Sequence, residues 1–222
     1  MSKSLVLKVV SPEMKSYGGF EWPGVGGKVT APDWSPFPSC GKGLHGWLNG
    51  MGDIGCQSFT DQLGAIWLVL AVDTEKIIDL GRKVKFPEAE VLFTGSMIDA
   101  ARFIAEETGF TGPIIGIHRT GGYGSTLTGG DCSTLTGGRS STLTGGYGST
   151  LTGGDYATLT GGDESTLLGG KYATLTGGEG SVLQITYTDT RKRIATAYVG
   201  EDGIKPNVPY KLDENHNFVE VK

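Results

Sequence analysis

Side chains able to do acid–base, nucleophilic or metal chemistry are few in this chain, and their spacing organises none of them. The three histidines, His45, His118 and His216, are too scattered for metal-ligand spacing. The three cysteines, Cys40, Cys56 and Cys132, are an odd number without a C-x-x-C pair, which fits reduced thiols better than a disulfide framework or a zinc site. Gly41-Lys42-Gly43 lacks the glycine spacing and strand–helix context of a phosphate loop, and no nucleophile elbow occurs. Neither a metal nor a cofactor is expected. Threonine hydroxyls are better organised, standing two residues apart at Thr126/Thr128, Thr142/Thr144, Thr158/Thr160 and Thr174/Thr176. Their chemistry is hydrogen bonding, not catalysis.

Those pairs belong to an array. The motif [Ser/Ala]-Thr-Leu-Thr-Gly-Gly-x-x begins at Ser125, Ser133, Ser141, Ser149, Ala157, Ser165, Ala173 and Ser181, eight units with no slip in an eight-residue period. Of 38 glycines, 19 lie between Gly121 and Gly180, so the glycine excess is a property of the repeat. In each unit the small-Thr-Leu-Thr stretch alternates as a strand does. Gly-Gly and two variable residues then supply a turn free to adopt positive φ. Eight residues are too few to close a coil around packed leucines, so two octads per coil and about four coils are expected, a stack of roughly 19 Å at ~4.8 Å per coil.

Burying leucine with the small residue two places before it costs far less than burying two threonines. The core column is then Leu127, Leu135, Leu143, Leu151, Leu159, Leu167, Leu175 and Leu183, each contributing about 2 kcal/mol. Two octads per coil place the four threonine pairs on one side, as a grid of about 6.7 by 4.8 Å. On the opposite side Leu168, Val182 and Gln184 interrupt the pattern, implying a covered C-terminal end.

The segments Gly122 to Thr128 and Gly146 to Thr152 carry Gly-Tyr-Gly-Ser-Thr-x-Thr, and on these residues the array resembles the octapeptide repeats of bacterial ice-nucleation proteins. The resemblance implies a β-solenoid and a threonine face that orders water. The array departs from the family in having only eight units and a broken tyrosine ladder. Tyr123, Tyr147, Tyr156 and Tyr172 occupy differing corners, and only Tyr156 and Tyr172 are expected to stack in neighbouring coils.

Residues 1–118 read as an α+β domain. Strands are expected at Leu5 to Val10, Ile66 to Val72, Lys76 to Leu80 and Glu90 to Phe93, with a long ordered loop or short irregular strands over Gly18 to Pro38. Ser96 with Asp99 three residues on starts a helix whose face is Met97, Ala100, Ala101, Ile104 and Ala105, stopping at Gly109. Trp22, Trp34, Trp47 and Phe37 suit core packing or loop anchoring better than a ligand groove. The stretches Lys8-Val9-Val10, Cys40 to His45, Lys83-Val84-Lys85 and Glu88 to Leu92 resemble an uncharacterised domain of phage and prophage proteins, which implies a phage-type accessory protein. A strand, a Gly-Leu-His element and a later glutamate also resemble the ADP-ribosyltransferase scaffold. On that likeness Lys8, His45 and Glu88 or Glu90 would hold NAD, and fold-level likeness does not establish function.

Residues 119–183 form the repeat, and residues 184–222 read as a β cap, with strands at Gln184 to Thr188, Arg193 to Val199, Pro209 to Leu212 and Phe218 to Val221. The same strands could instead form a homodimer interface. Net charge is −5 and no basic run resembles a nucleic-acid footprint. The corner acids Asp131, Asp155, Asp163, Glu164 and Glu179, set against Arg139 and Lys171, leave the array too weakly charged for DNA mimicry. The apolar run Ala65 to Val72 is too short to span a bilayer, and Met-Ser-Lys-Ser lacks the core of a signal peptide, so no membrane contact and a cytoplasmic location in a bacterial host are expected.

The expected architecture is therefore an α+β domain, a β-solenoid and a C-terminal β cap. The expected function is non-catalytic binding of a protein partner, as a phage-type inhibitor of a host enzyme or defence system. Ice binding and ADP-ribosyltransferase-like catalysis are the alternatives. The binding face would comprise the eight grid threonines with Tyr156 and Tyr172.

Overall fold

The computed structural model describes residues 2–221 and divides into two compact units, Met1–Ile115 and Gly116–Lys222. The first contains β1 (Lys3–Val10), β2 (Lys28–Thr30), β3 (Leu44–Leu48), β4 (Ile66–Asp73), β5 (Ile78–Asp79), β6 (Val84–Phe86), β7 (Glu88–Gly95) and the helix α1 (Met97–Thr108). The strands form one antiparallel sheet in the order β2-β7-β4-β1-β3-β6-β5. Val6, Leu7, Val9 and Val10 of β1 and Leu68 to Val72 of β4 are buried without alternation, because these central strands are covered on both faces. Ser96 caps α1 as expected: its Oγ accepts from Asp99 N at 3.2 Å, and Gly109 ends the helix at φ 66°. Trp22 and Trp47 are core residues, whereas Phe37 is exposed. The strand expected over Lys76 to Leu80 shrinks to Ile78–Asp79, because Thr74–Lys76 forms a 3-10 turn capped by Asp73.

The second unit is the solenoid. It comprises β8 (His118–Thr120), β9 (Thr126–Thr128), β10 (Thr134–Thr136), β11 (Thr142–Thr144), β12 (Thr150–Thr152), β13 (Thr158–Thr160), β14 (Thr166–Gly169) and β15 (Thr174–Thr176). β16 (Val182–Thr188), β17 (Lys192–Tyr198), β18 (Pro209–Leu212) and β19 (Phe218–Glu220) follow. Two six-stranded sheets result, ordered β17-β16-β14-β12-β10-β8 and β19-β18-β15-β13-β11-β9. Each repeat strand pairs in parallel with the residue sixteen positions on, Thr134 with Thr150 and Thr142 with Thr158, so one coil is two octads. Leu135 to Leu183 of the core column are fully buried; Leu127, in the first octad, is partly exposed. β8 adds a rung before the first octad, with Arg119 in register with Leu135. Its half-buried guanidinium donates to Thr128 O, covering the end of the leucine column with a satisfied polar group. At the other end β17 pairs antiparallel with β16 and β18 with β15, so each parallel sheet ends in an antiparallel hairpin.

Within the expected four-residue turns, positive φ falls at one position. None of the paired glycines of the repeat adopts it. The residue just before each small residue does: Gly124, Cys132, Ser140, Gly148, Tyr156, Glu164, Tyr172 and Gly180. The paired glycines serve proximity instead. A Cβ on Gly138 would lie 2.7 Å from Gly122 C, and one on Gly154 2.7 Å from Arg139 N, in each case backbone of the preceding coil. The first glycine of each pair faces the small residue four positions on, as Gly161 does Ser165, where a Cβ would sit 2.7 Å from the serine Cβ.

Candidate functional site

The exact rung-to-rung register of β9, β11, β13 and β15 places all eight expected threonines on one sheet, aligned in two columns. Thr126, Thr142, Thr144, Thr158 and Thr160 are exposed, and Thr128, Thr174 and Thr176 are half-buried. Among the described residues none of these hydroxyls makes an intramolecular hydrogen bond, so each is available to water or to a surface. The grid is held from beneath by the leucine column and the small residues beside it. On this sheet the small column is Ser125, Ser141, Ala157 and Ala173; on the other it is Ser133, Ser149, Ser165 and Ser181. The second column is the better satisfied. Ser149 Oγ donates to Gly146 O at 2.8 Å, Ser181 Oγ donates to Gly162 O at 3.0 Å, and Ser165 N donates to Ser181 Oγ at 3.1 Å.

Corner side chains lock the coils together at the grid's margins. Asp155 Oδ1 accepts from Lys171 N and Asp163 Oδ1 from Glu179 N, both at 2.8 Å, each bond joining one coil to the next. Of the five corner acids, Asp131, Asp155 and Asp163 are therefore structural ties. The rings of Tyr156 and Tyr172 meet in neighbouring coils, with centroids 5.0 Å apart and planes tilted by 34°, on the corners that lead into β13 and β15. Arg139 lies 5.0 Å from the Tyr156 ring and Lys171 4.6 Å from the Tyr172 ring, extending the stack with cations.

The opposite sheet is not equivalent. Its outward positions include His118, Leu168, Val182 and Gln184, and the last three are half-buried rather than covered. β17 extends the sheet at its edge.

The ADP-ribosyltransferase-like set is not brought together. Lys8 and His45 line the same cavities, but β7, which carries Glu88 and Glu90, is separated from β1 by β4. Glu88 instead pairs with Lys76 at 2.6 Å, which holds its carboxyl below the usual range. Burial, with Lys83 and then Lys8 adding repulsion, pushes the His45 imidazole down to about 4. Sequence reasoning missed the surroundings of Lys8, since a lone lysine in an apolar strand gives no signal of what it faces.

Comparison with known proteins bears on the repeat. The chain is 34% identical over 104 residues to the ice nucleation protein InaU of Pantoea ananas, covering 46% of this chain and 10% of that protein. It is 40% identical over 107 residues to an ice nucleation protein of Pseudomonas syringae and 41% identical over 107 residues to one of Xanthomonas campestris pv. translucens, covering 47% of this chain and 9% and 7% of theirs. The chain thus spans a tenth or less of these relatives' length, and the homology is to their repeat regions. No family model and no solved structure matches. The cytoplasmic expectation is overturned by this homology, which points to an extracellular or surface location. Among the described residues no helix is long and apolar enough to cross a membrane.

Proposed function

We propose that the threonine sheet formed by β9, β11, β13 and β15 is an ice-binding face, and that this chain acts as a short ice-nucleation-like repeat protein. The observation that carries the reading is the unbroken grid. Eight threonines stand in rung-to-rung register on one sheet, while the same outward positions of the other sheet drift to His118, Leu168, Val182 and Gln184. Strand preference would favour threonine on both sheets equally. A rigid backbone that holds hydroxyls and methyls at fixed spacings of about 4.8 Å along the stack can order a first water layer without losing side-chain freedom at the moment of contact. The homology to ice-nucleation repeats supports the same reading. The alternative of a phage-type inhibitor has no comparable support.

A face about 19 Å long is a small template. Adsorption to ice already present is therefore the activity to measure first, by thermal hysteresis and crystal shape, with droplet freezing second. The double variant Thr142→Arg/Thr158→Arg is expected to abolish hysteresis, and Thr150→Arg, on the opposite sheet, to preserve it. Normal ice growth in the presence of concentrated wild-type protein, or equal loss in both variants, overturns the proposal.

A further inference from the structure

A separate set of observations concerns the N-terminal unit alone. Period-two alternation places Lys8 on β1 in the row of Val6 and Val10, both fully buried, and only 8% of Lys8 itself is exposed. Lys8 Nζ donates to Gln57 Oε1 at 2.6 Å, and Lys83 Nζ donates to Cys56 O at 3.1 Å. No carboxylate lies within ion-pair distance of Lys8, Lys83 or Lys85 among the described residues. Lys85 is completed by the Ser39 and Gly41 carbonyls, at 3.0 and 3.4 Å. Lys8 and Lys83 have no such set of acceptors, although burial of an uncompensated cation is costly.

These groups bound a cavity. Lys8, His45, Gln57 and Lys83 line a space of about 280 Å³ whose walls carry no carboxylate. Two buried polar atoms of the same residues, Gln57 Nε2 and His45 Nε2, lack a partner among the described residues. A second cavity of about 430 Å³ shares Lys8, Tyr17, Gly41 and His45 with the first and is walled by Phe20 and Trp22, with Asp33 at its edge. Trp22 Nε1 is likewise buried without an acceptor. The unmet groups here include the Lys8 and Lys83 cations and the N–H donors of Gln57 and Trp22, so the missing component is an anion with several acceptor oxygens.

We infer that this double cavity binds a phosphate-bearing ligand, with the phosphate held by Lys8, Lys83 and Gln57 and a planar group, as in a nucleotide, in the aromatic compartment beside Tyr17, Phe20 and Trp22. The fit is chemical as well as steric. A phosphate accepts from Lys8, Lys83 and Gln57 at once, and an aromatic base stacks on the second compartment's walls, with Asp33 placed to accept from an exocyclic amine. The depressed basicity of Lys8, brought down to about 7 by burial and then by Lys83, is the condition an anion would reverse.

The test is calorimetric titration of the full chain with ADP, pyrophosphate and inorganic phosphate near neutral pH, with ³¹P line broadening as a second readout. ADP is expected to bind in the submillimolar range and more tightly than inorganic phosphate. Lys83→Gln should weaken ADP by about tenfold or more, and Lys8→Met, which keeps the buried volume, should abolish binding while the melting transition persists. Equal affinity for ADP and phosphate would keep the oxyanion site and overturn the nucleotide assignment. Absence of binding by every probe at millimolar concentration, or ADP affinity unchanged in both variants, overturns the inference.

Discussion

Substituting the second glycine of a corner tests whether these glycines serve approach or conformation. In Gly138→Ala the new Cβ would meet Gly122 C at 2.7 Å, Gly122 O at 2.8 Å and Tyr123 N at 2.9 Å, where ordinary contact begins near 3.4 Å. The two coils must part locally by about 0.5–0.7 Å to restore ordinary contact. The Gly138 N to Gly122 O hydrogen bond, already 3.1 Å, then passes out of range. Overpacking costs about 1–3 kcal/mol and the lost bond about 1 kcal/mol more, so destabilisation of about 2–4 kcal/mol is expected.

Two residues on, Ser140 has the opposite expectation. Its φ is 58°, its side chain is exposed, and no hydrogen bond holds its hydroxyl among the described residues. Glycine there relieves about 1–2 kcal/mol of left-handed strain and costs about 0.4–1 kcal/mol in unfolded-chain entropy, a net gain of about 0.5 kcal/mol. Equilibrium urea unfolding can resolve the unit concerned, because all four tryptophans lie before residue 116 and seven of eight tyrosines after it. The tyrosine-detected transition should move in opposite directions for the two variants while the tryptophan-detected one stays in place. A neutral Gly138→Ala together with a destabilising Ser140→Gly would refute the reasoning and return the glycines to a conformational role.

Buried serines separate by partner: Ser141 Oγ has none and its column already contains Ala157 and Ala173, so Ser141→Ala is expected to stabilise by about 1 kcal/mol. Ser165 Oγ accepts from Ser149 N at 3.3 Å and donates to Gly146 O at 3.2 Å, so Ser165→Ala should destabilise by about 1 kcal/mol in the same unfolding assay. Lys8 predicts a pH dependence: its pKa falls from 10.5 to about 7 on folding, so the unfolded chain binds the extra proton between those values. Stability should therefore rise with pH through that window and fall toward neutrality, by on the order of a few kcal/mol in all, and Lys8→Met should remove the slope in tryptophan-detected urea titrations. A slope unchanged in Lys8→Met would place its origin elsewhere.

Much of the solenoid was legible because its constraints are periodic. A strict eight-residue repeat with one leucine per unit permits one closed arrangement of modest size, and that arrangement dictates which threonines align and that Tyr156 lies against Tyr172. The turn is legible only in outline: positive φ falls within the expected four residues but on the last of them, which is glycine at Gly124, Gly148 and Gly180 and a side-chain-bearing residue such as Ser140, Tyr156 or Tyr172 elsewhere, while the paired glycines answer a contact between coils that no local pattern encodes. In the N-terminal unit, α1 carries its own cap and stop and was readable. β3 was not, because Leu44–Leu48 includes His45 and Gly46 and follows Gly41-Lys42-Gly43, so it reads as loop until the sheet supplies its partners. The Lys8 cavity depends on Gln57 and Lys83, distant in sequence, and only folding joins them.

The octad also separates what the fold requires from what it leaves open. Its first, third, fifth and sixth positions are fixed by the interior and by contact between coils, as Ser141, Leu143, Gly145 and Gly146 illustrate. The last two face solvent and vary freely among tyrosine, aspartate, arginine, lysine, glutamate, glycine, serine and cysteine. The second and fourth positions face solvent too, yet on one sheet they are threonine in every rung. Valine, isoleucine and tyrosine satisfy a strand as well as threonine does, so strand formation alone leaves that uniformity unexplained. A partner of irregular shape would select one or two rungs and let the others drift, as ordinary protein interfaces concentrate their energy in a few residues. Uniformity along every rung is what the proposed ice-binding face requires, since the surface of a crystal repeats as the coil does.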